Sequence, residues 1–87
     1  MNEDDIIKRI RVLYPDAAID IQGEGCDFEV FVISNTFQGM PIVKRQQSIL
    51  HLFAAELADG KLHALSIRAK TYAEMEEAKS HLVQLEI

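Results

Sequence analysis

The chain has 87 residues, 48% of them hydrophobic and 26% charged, and its formal net charge is -5 at pH 7. This composition is that of an ordinary globular protein, and the length predicts a single domain, residues 1–87, with little room for an enclosed substrate pocket. The negative charge disfavours wholesale binding of the nucleic-acid backbone, which needs clustered lysine and arginine. The single cysteine cannot form an internal disulfide, so we expect a reducing compartment, the cytoplasm. No apolar run approaches the roughly 20 residues of a membrane span.

The N-terminal segment predicts an amphipathic helix. Asn2 is placed to cap its first turn, because an asparagine side chain accepts a hydrogen bond from the backbone N–H groups there. Ile6, Ile10 and Leu13 recur at helical spacing, flanked by Ile7 and Tyr14, and predict the buried side of this helix. Pro15 ends the helix.

Two strands are predicted next. Residues 19–22 alternate apolar and polar side chains, as a half-buried strand does. Residues 28–33 are a β-branched and aromatic run, which suits a strand at the centre of a sheet or one covered on both faces. Gly23-Glu24-Gly25 is a turn signal between them, so we expect an antiparallel hairpin with a loop of several residues.

The second half of the chain predicts a helical segment, a third strand and a last helix. The helical segment runs from about residue 41 to 57, as one helix or two, and Asp59-Gly60 ends it. Its expected buried stripe is Ile42, Gln46, Ile49, Leu50, Phe53 and Leu57. Residues 62–69 form the third strand, and Thr71 with Glu74 predicts a capping box for the last helix. The expected buried side of that helix is Met75, Ala78, Leu82 and Leu85.

The order α-β-β-α(α)-β-α predicts an α+β fold, with a three-stranded mixed sheet and helices on one face. Because helix joins the second strand to the third, these two strands should be parallel neighbours whose N-terminal ends meet. Cys26 comes just before the second strand and His63 begins the third, so we expect them to lie close together. Imidazole and thiolate are ligands of metal and cluster sites. The alternative is a structural histidine at the margin of the core.

Three motifs resemble those of the BolA-like family in order and spacing. They are Phe37-x-Gly39, Val43-Lys44-Arg45-Gln46-Gln47 and Leu62-His63-Ala64-Leu65-Ser66-Ile67-x-Ala69. The resemblance extends from the first helix to about Met75, and the second motif is most similar to the bacterial, acid-responsive branch. It implies a KH-like α+β fold of the second class, which agrees with the predicted element order.

The resemblance also implies a function. BolA-like proteins pair with monothiol glutaredoxins and share a [2Fe-2S] cluster in iron–sulfur trafficking or iron homeostasis, with glutathione supplied on the partner side. The family's histidine ligand at the start of the last strand matches His63, and a second ligand in the loop between the first two strands matches Cys26. Because such a cluster takes four ligands, a partner must supply the others. No catalytic triad, carboxylate pair or nucleotide loop in the sequence predicts an enzyme.

Alternatives remain open at this point. Some family members are DNA-binding regulators, so a nucleic-acid-binding transcriptional or stress-response regulator is the second hypothesis. Its phosphate contacts would be Lys44, Arg45, Arg68 and Lys70, although solvated ends of a helix and a strand are a more frequent reason for such charges. A third hypothesis is an interaction module whose apolar face docks a partner helix without metal. A homodimer is open as well.

The sequence departs from the family pattern in two places. Arg45-Gln46 stands where family members often have Arg-His, so any role of that histidine is lost. Thr71-Tyr72-Ala73-Glu74-Met75 replaces the usual Thr-Pro-x-x-Trp, which changes the cap and the packing of the last helix.

Overall fold

The structure, a computed structural model, describes residues 2–25 and 27–77 and follows the predicted element order. Residues 72–77 are also helical and are called the final helical segment. Within the described ranges, no helix is long and apolar enough to cross a membrane. The remaining elements are α1 (Glu3–Leu13), β1 (Ala18–Glu24), β2 (Asp27–Ile33), a 3-10 turn (Asn35–Phe37), α2 (Ile42–Leu50), a second 3-10 turn (His51–Phe53), α3 (Ala54–Asp59) and β3 (Ala64–Lys70).

The three strands form one mixed sheet in the order β1-β2-β3. β1 and β2 are antiparallel and β2 and β3 are parallel, as predicted, with Asp27 opposite Ala64. Along the central strand, Phe28, Val30 and Val32 are buried, whereas the alternate side chains are only partly covered. The helices therefore cover one face of the sheet, and the predicted α+β class is confirmed.

Helix α1 begins as the sequence predicts, because the Oδ1 atom of Asn2 accepts a hydrogen bond (2.9 Å) from the Asp5 backbone N–H. Ile6 and Ile10 are fully buried in the core. The prediction for Leu13 is wrong, since this side chain is 45% exposed. Leu13 is the last residue of α1, and the chain leaves the helical path after it.

Tyr14 occupies the core in place of Leu13. Its ring centroid lies 4.6 Å from that of Phe37, in a tilted arrangement, and its hydroxyl forms a 2.6 Å hydrogen bond with the Ser48 hydroxyl. The ring is thereby buried while its polar end keeps a partner, which is the arrangement that makes a core tyrosine stable.

A carboxylate holds the turn after α1 against the loop that follows β2. Asp16 accepts hydrogen bonds from the Ser34 hydroxyl (2.6 Å), the Asn35 backbone N–H (3.1 Å) and the Thr36 hydroxyl (3.4 Å). These bonds, the first above all, lower the pKa of Asp16 below its ordinary value. The ionised carboxylate thus fixes the start of the 3-10 turn that carries Phe37 into the core.

The helical segment after this loop is two short helices separated by a 3-10 turn, which settles the choice that the sequence left open. Its buried stripe begins at Arg45 and continues through Ile49 and Phe53. The prediction for Ile42 is wrong, because this first residue of α2 is 60% exposed. Arg45, one turn later, is the residue that faces the sheet.

The β1–β2 hairpin is tighter than expected. β1 continues to Glu24, so only two residues separate it from Asp27, and the predicted loop of several residues is wrong. The strand passes through the turn signal because Gly23 adopts a φ of 111°. A Cβ atom at position 23 would lie 2.3 Å from the backbone oxygen of Asp27, so only glycine allows this close approach.

We expect Gly23→Ala to lower the free energy of unfolding by about 2–4 kcal/mol, since the methyl group adds a backbone clash to the strain of a left-handed φ. Gly39→Ala is the matched control: its φ is 82°, but nothing lies within 4 Å of the added Cβ. That variant should lose only about 1–2 kcal/mol. Urea unfolding measures both, and equal losses would show that the hairpin end tolerates a side chain.

Candidate functional site

The backbone is fixed on both sides of His63. Immediately before it, Leu62 is only 1% exposed, and its N–H donates a 3.0 Å hydrogen bond to the Glu56 carbonyl at the end of the helical segment. Immediately after it, Ala64 begins β3 opposite Asp27. The His63 side chain is exposed between these anchors. An anchored main chain therefore presents the imidazole to solvent at one end of the sheet.

His63 stands one residue ahead of β3 rather than inside it. Burial falls along its face of the strand: Ala69 and Ile67 are buried, Leu65 is half-buried and His63 is exposed. The helices therefore cover the far end of this face and leave the near end open. A histidine in this position fills no part of the core, which disfavours the structural alternative.

The second predicted ligand, Cys26, lies outside the described residues, so its place beside His63 stays a prediction. The pairing on which that prediction depends is confirmed. Asp27, which follows Cys26 in sequence, is opposite Ala64, which follows His63. Within residues 2–25 and 27–77, no three His, Cys, Asp or Glu side chains are grouped so that they could hold a metal ion.

Three of the four basic residues proposed for phosphate binding are exposed, and one is buried. Lys44 and Lys70 are exposed. Arg68 is also exposed, but its Nε atom lies 2.9 Å from a carboxylate oxygen of Glu29. Arg45 is only 5% exposed and belongs to the interior, so the sequence-based set is corrected to the other three.

The guanidinium of Arg45 joins three parts of the chain. It donates to the Met40 carbonyl through Nε (2.9 Å) and to the Ala69 carbonyl through Nη1 (3.2 Å). Both terminal nitrogens also bind the Glu74 carboxylate, at 2.6 and 3.3 Å. Its central carbon lies 5.6 Å from the ring centroid of Phe37. In the sequence, only the helical spacing of Arg45 from Ile49 and Phe53 indicates that Arg45 is buried.

Gln46 acts beside Arg45. Its side-chain amide donates a 3.1 Å hydrogen bond to the Ile67 carbonyl on the outer edge of β3. Two consecutive side chains of α2 thus bind the carbonyls of Ile67 and Ala69 along an edge that no strand of the described sheet pairs. Edge strands that are covered in this way resist pairing with other chains.

The predicted capping box is confirmed at the start of the final helical segment. The Thr71 N–H donates to the Glu74 carboxylate (2.7 Å), and the Glu74 N–H donates to the Thr71 hydroxyl (3.1 Å). The hydrogen bond from Arg45, followed by that from the Thr71 N–H, lowers the pKa of Glu74 from its ordinary 4.5 to about 2. His81 and the predicted buried positions Ala78, Leu82 and Leu85 lie outside the described residues. His51 is exposed, as expected.

With this geometry established, comparison with known proteins identifies the family. The family profile described as "BolA-like protein" matches residues 7–74, most of the chain. The chain belongs to the BolA-like family. The motif residues Phe37, Arg45 and Leu62 of this BolA-like chain are interior, whereas Lys44 and His63 are exposed. The exposed motif residues, with His63 among them, are therefore where function, rather than packing, is to be sought.

Individual relatives agree with the assignment. The chain is 31% identical over 78 residues to an uncharacterised protein of the rpoN-murA intergenic region of Acinetobacter guillouiae, covering 90% of this chain and 94% of that protein. It is 38% identical over 56 residues to the acid stress protein IbaG of Escherichia coli, covering 64% of this chain and 67% of IbaG. The solved BolA domain of SufE1 from Arabidopsis thaliana superimposes with a TM-score of 0.72 at 28% identity, covering 85% of this chain and 98% of that domain. BolA-like proteins are generally regulatory or partner proteins rather than enzymes.

We expect Arg45→Gln to lower the free energy of unfolding by about 2–4 kcal/mol, because it removes charge-assisted bonds and leaves buried carbonyls unpaired. Lys44→Gln, at the exposed neighbouring position, should change it by less than about 0.5 kcal/mol. Chemical denaturation with circular dichroism compares the two variants. Equal effects would show that the buried network contributes nothing specific.

The lowered pKa of Glu74 predicts how stability depends on pH. Ionised Glu74 stabilises the folded chain fully above its ordinary pKa of 4.5, and this stabilisation is lost as the pH falls through 4.5 towards the folded value of about 2. Glu74→Gln should therefore be less stable than the wild type at neutral pH, and the difference should shrink on acidification. The pKa values of Asp16 and Glu56 are lowered as well, so both proteins should keep some acid sensitivity. Thermal melts of the wild type and Glu74→Gln between neutral pH and the folded pKa of Glu74 test this prediction. A difference in stability that stays constant with pH would contradict the lowered pKa of Glu74.

Proposed function

We propose that this BolA-like chain is the partner of a monothiol glutaredoxin and that His63 ligates a [2Fe-2S] cluster shared between the two proteins. The cluster would take part in iron–sulfur trafficking or iron homeostasis. The similarity to the BolA domain of SufE1 is consistent with a role related to iron–sulfur clusters. Cys26 is the proposed second ligand of this chain, and the partner with its glutathione would supply the other two.

The observation that carries the proposal is the presentation of His63. Its imidazole is exposed, while its backbone is held by buried Leu62 on one side and by the β3 pairing of Ala64 on the other. A ligand for a cluster held between two proteins needs both properties, because it must be reachable by the partner and must keep its position when the partner binds. The sequence pattern alone does not show the exposure.

The donor chemistry of the chain fits a shared cluster. Imidazole replaces thiolate on one iron in known [2Fe-2S] centres and raises the reduction potential. His63 and Cys26 would provide two of the four ligands, so the site requires a second protein. The nucleic-acid alternative gains nothing from the structure, because Arg45 is interior and Arg68 is paired with Glu29. We therefore do not propose it.

The test is reconstitution with a purified monothiol glutaredoxin, glutathione, iron and sulfide without oxygen. We expect a coloured heterodimer whose visible absorption and circular dichroism change in His63→Ala. His63→Cys should keep a cluster with a lower reduction potential, since thiolate replaces imidazole. His51→Ala is the matched control, because His51 is also exposed but lies at the end of α2.

Two results would decide against His63 as a cluster ligand, and a third would decide against Cys26. An identical spectrum and cluster lifetime in wild type and His63→Ala would exclude His63 as a ligand. A complex that forms without colour would favour a metal-free interaction module. If His63→Ala changes the spectrum and Cys26→Ser does not, His63 remains a ligand and the second one must be sought elsewhere.

A further inference from the structure

An open groove of about 1020 Å³ lies beside the outer edge of β3, along the stretch from Ser66 to Lys70. Its apolar lining includes Phe31 of β2, Ile42 of α2 and Met75 of the final helical segment. Arg68 and Lys70 line the same groove from β3. The glutaredoxin proposal uses none of these side chains.

The groove exposes a large apolar side chain. Ile42, which lines it, is 60% exposed, and Val43, the next residue in the first turn of α2, is 61% exposed. Single exposed apolar residues are ordinary, but one that lines a groove with other apolar side chains favours an interaction site. Seating an apolar partner side chain in the groove would remove the surface of Ile42 from water.

The charge of the groove indicates the partner. Its lining holds three cationic side chains and two carboxylates, in a chain whose formal net charge is -5. Glu29 is paired with Arg68 and Glu74 with Arg45. Lys70 forms no ion pair with any residue that the structure describes, so the described part of the lining carries a net positive charge. An acidic protein segment complements it, whereas a nucleic acid would need several more unpaired cations.

The hydrogen bonding of β3 indicates the partner's secondary structure. An added strand would need the free carbonyls on the edge of β3 as acceptors. The Gln46 amide already binds the Ile67 carbonyl, and the Arg45 guanidinium already binds that of Ala69. A helix satisfies its own backbone and needs neither acceptor, so helix docking is favoured over strand addition.

We propose that this groove is a docking site for an acidic amphipathic helix of a partner protein. The apolar face of the helix would contact Ile42, Phe31 and Met75, and its carboxylates would face Lys70. The part of β3 that lines the groove runs from Ser66 to Lys70, and His63 is not among the lining residues. The proposal does not rest on glutaredoxin binding, because neither Ile42 nor Lys70 belongs to the proposed cluster site.

The test uses a fluorescent designed peptide of about 15 residues, with leucines at helical spacing and glutamates elsewhere, titrated with the full chain. Its counterpart replaces every glutamate with lysine. We expect the acidic peptide to bind in the micromolar range and the basic one to bind at least about tenfold more weakly. Affinity for the acidic peptide should also fall as salt rises.

Variants locate the binding. Ile42→Ser and Lys70→Glu should each weaken binding of the acidic peptide by about tenfold. Val12→Ser and Lys8→Glu are matched controls, because Val12 (83% exposed) and Lys8 lie on α1 outside the groove lining, and they should leave binding unchanged. Circular dichroism confirms that each variant is folded.

Each contrary result overturns the proposal. Absence of binding, equal binding of the basic peptide, or binding insensitive to Ile42→Ser and Lys70→Glu would remove the site. Displacement of the acidic peptide by a peptide of residues 78–87 would assign the groove to the chain's own C-terminal segment. Tighter binding of duplex DNA, lost in Lys70→Glu, would assign the groove to nucleic acid.

Discussion

Parallel pairing of β2 with β3 places the beginnings of two strands side by side although more than thirty residues separate them in sequence. A parallel pair cannot be closed by a tight turn, so α2 and α3 must carry the chain back along the sheet. In doing so they cover one face and leave β3 as an edge strand. Exposure of His63 at one end of β3 and the need to cover its outer edge both follow from this connection.

Arg45 shows how the outer edge is covered. Burying a guanidinium is costly, and it is tolerated here because a carboxylate and two carbonyls receive its hydrogen bonds. An aliphatic side chain of similar size would leave the carbonyls of Met40 and Ala69 without this donor. The main effect of Arg45 is therefore to position the elements around it rather than to add net stability. It fixes α2 against β3 and ties the final helical segment to both through Glu74.

The element order, the parallel pairing and both caps could be predicted, because local side-chain chemistry and the short list of allowed connections determine them. The rotation of α2 could not. Helical spacing is compatible with a stripe from Ile42 or one from Arg45, and the choice depends on carbonyls that only the folded sheet presents. Gly23 is ambiguous for the same reason, since a glycine in a turn and one in a close-packed strand look identical in sequence. The pairing of residues 27 and 64 is the one that the predicted site requires. The exposure of His63 could not be predicted, because it depends on where the helices stop covering the sheet.

The two proposed surfaces differ in the constraint they place on a partner. At the His63 end, the proposed cluster would select a partner by coordination, which tolerates little change in geometry. At the groove, an apolar floor and a lysine with no ion pair among the described residues would select by charge and shape, which admits partners of varied sequence. Because the chain as a whole is negatively charged, an acidic segment gains most where an unneutralised cation lies beside apolar surface, so Lys70 would direct such a partner to the groove.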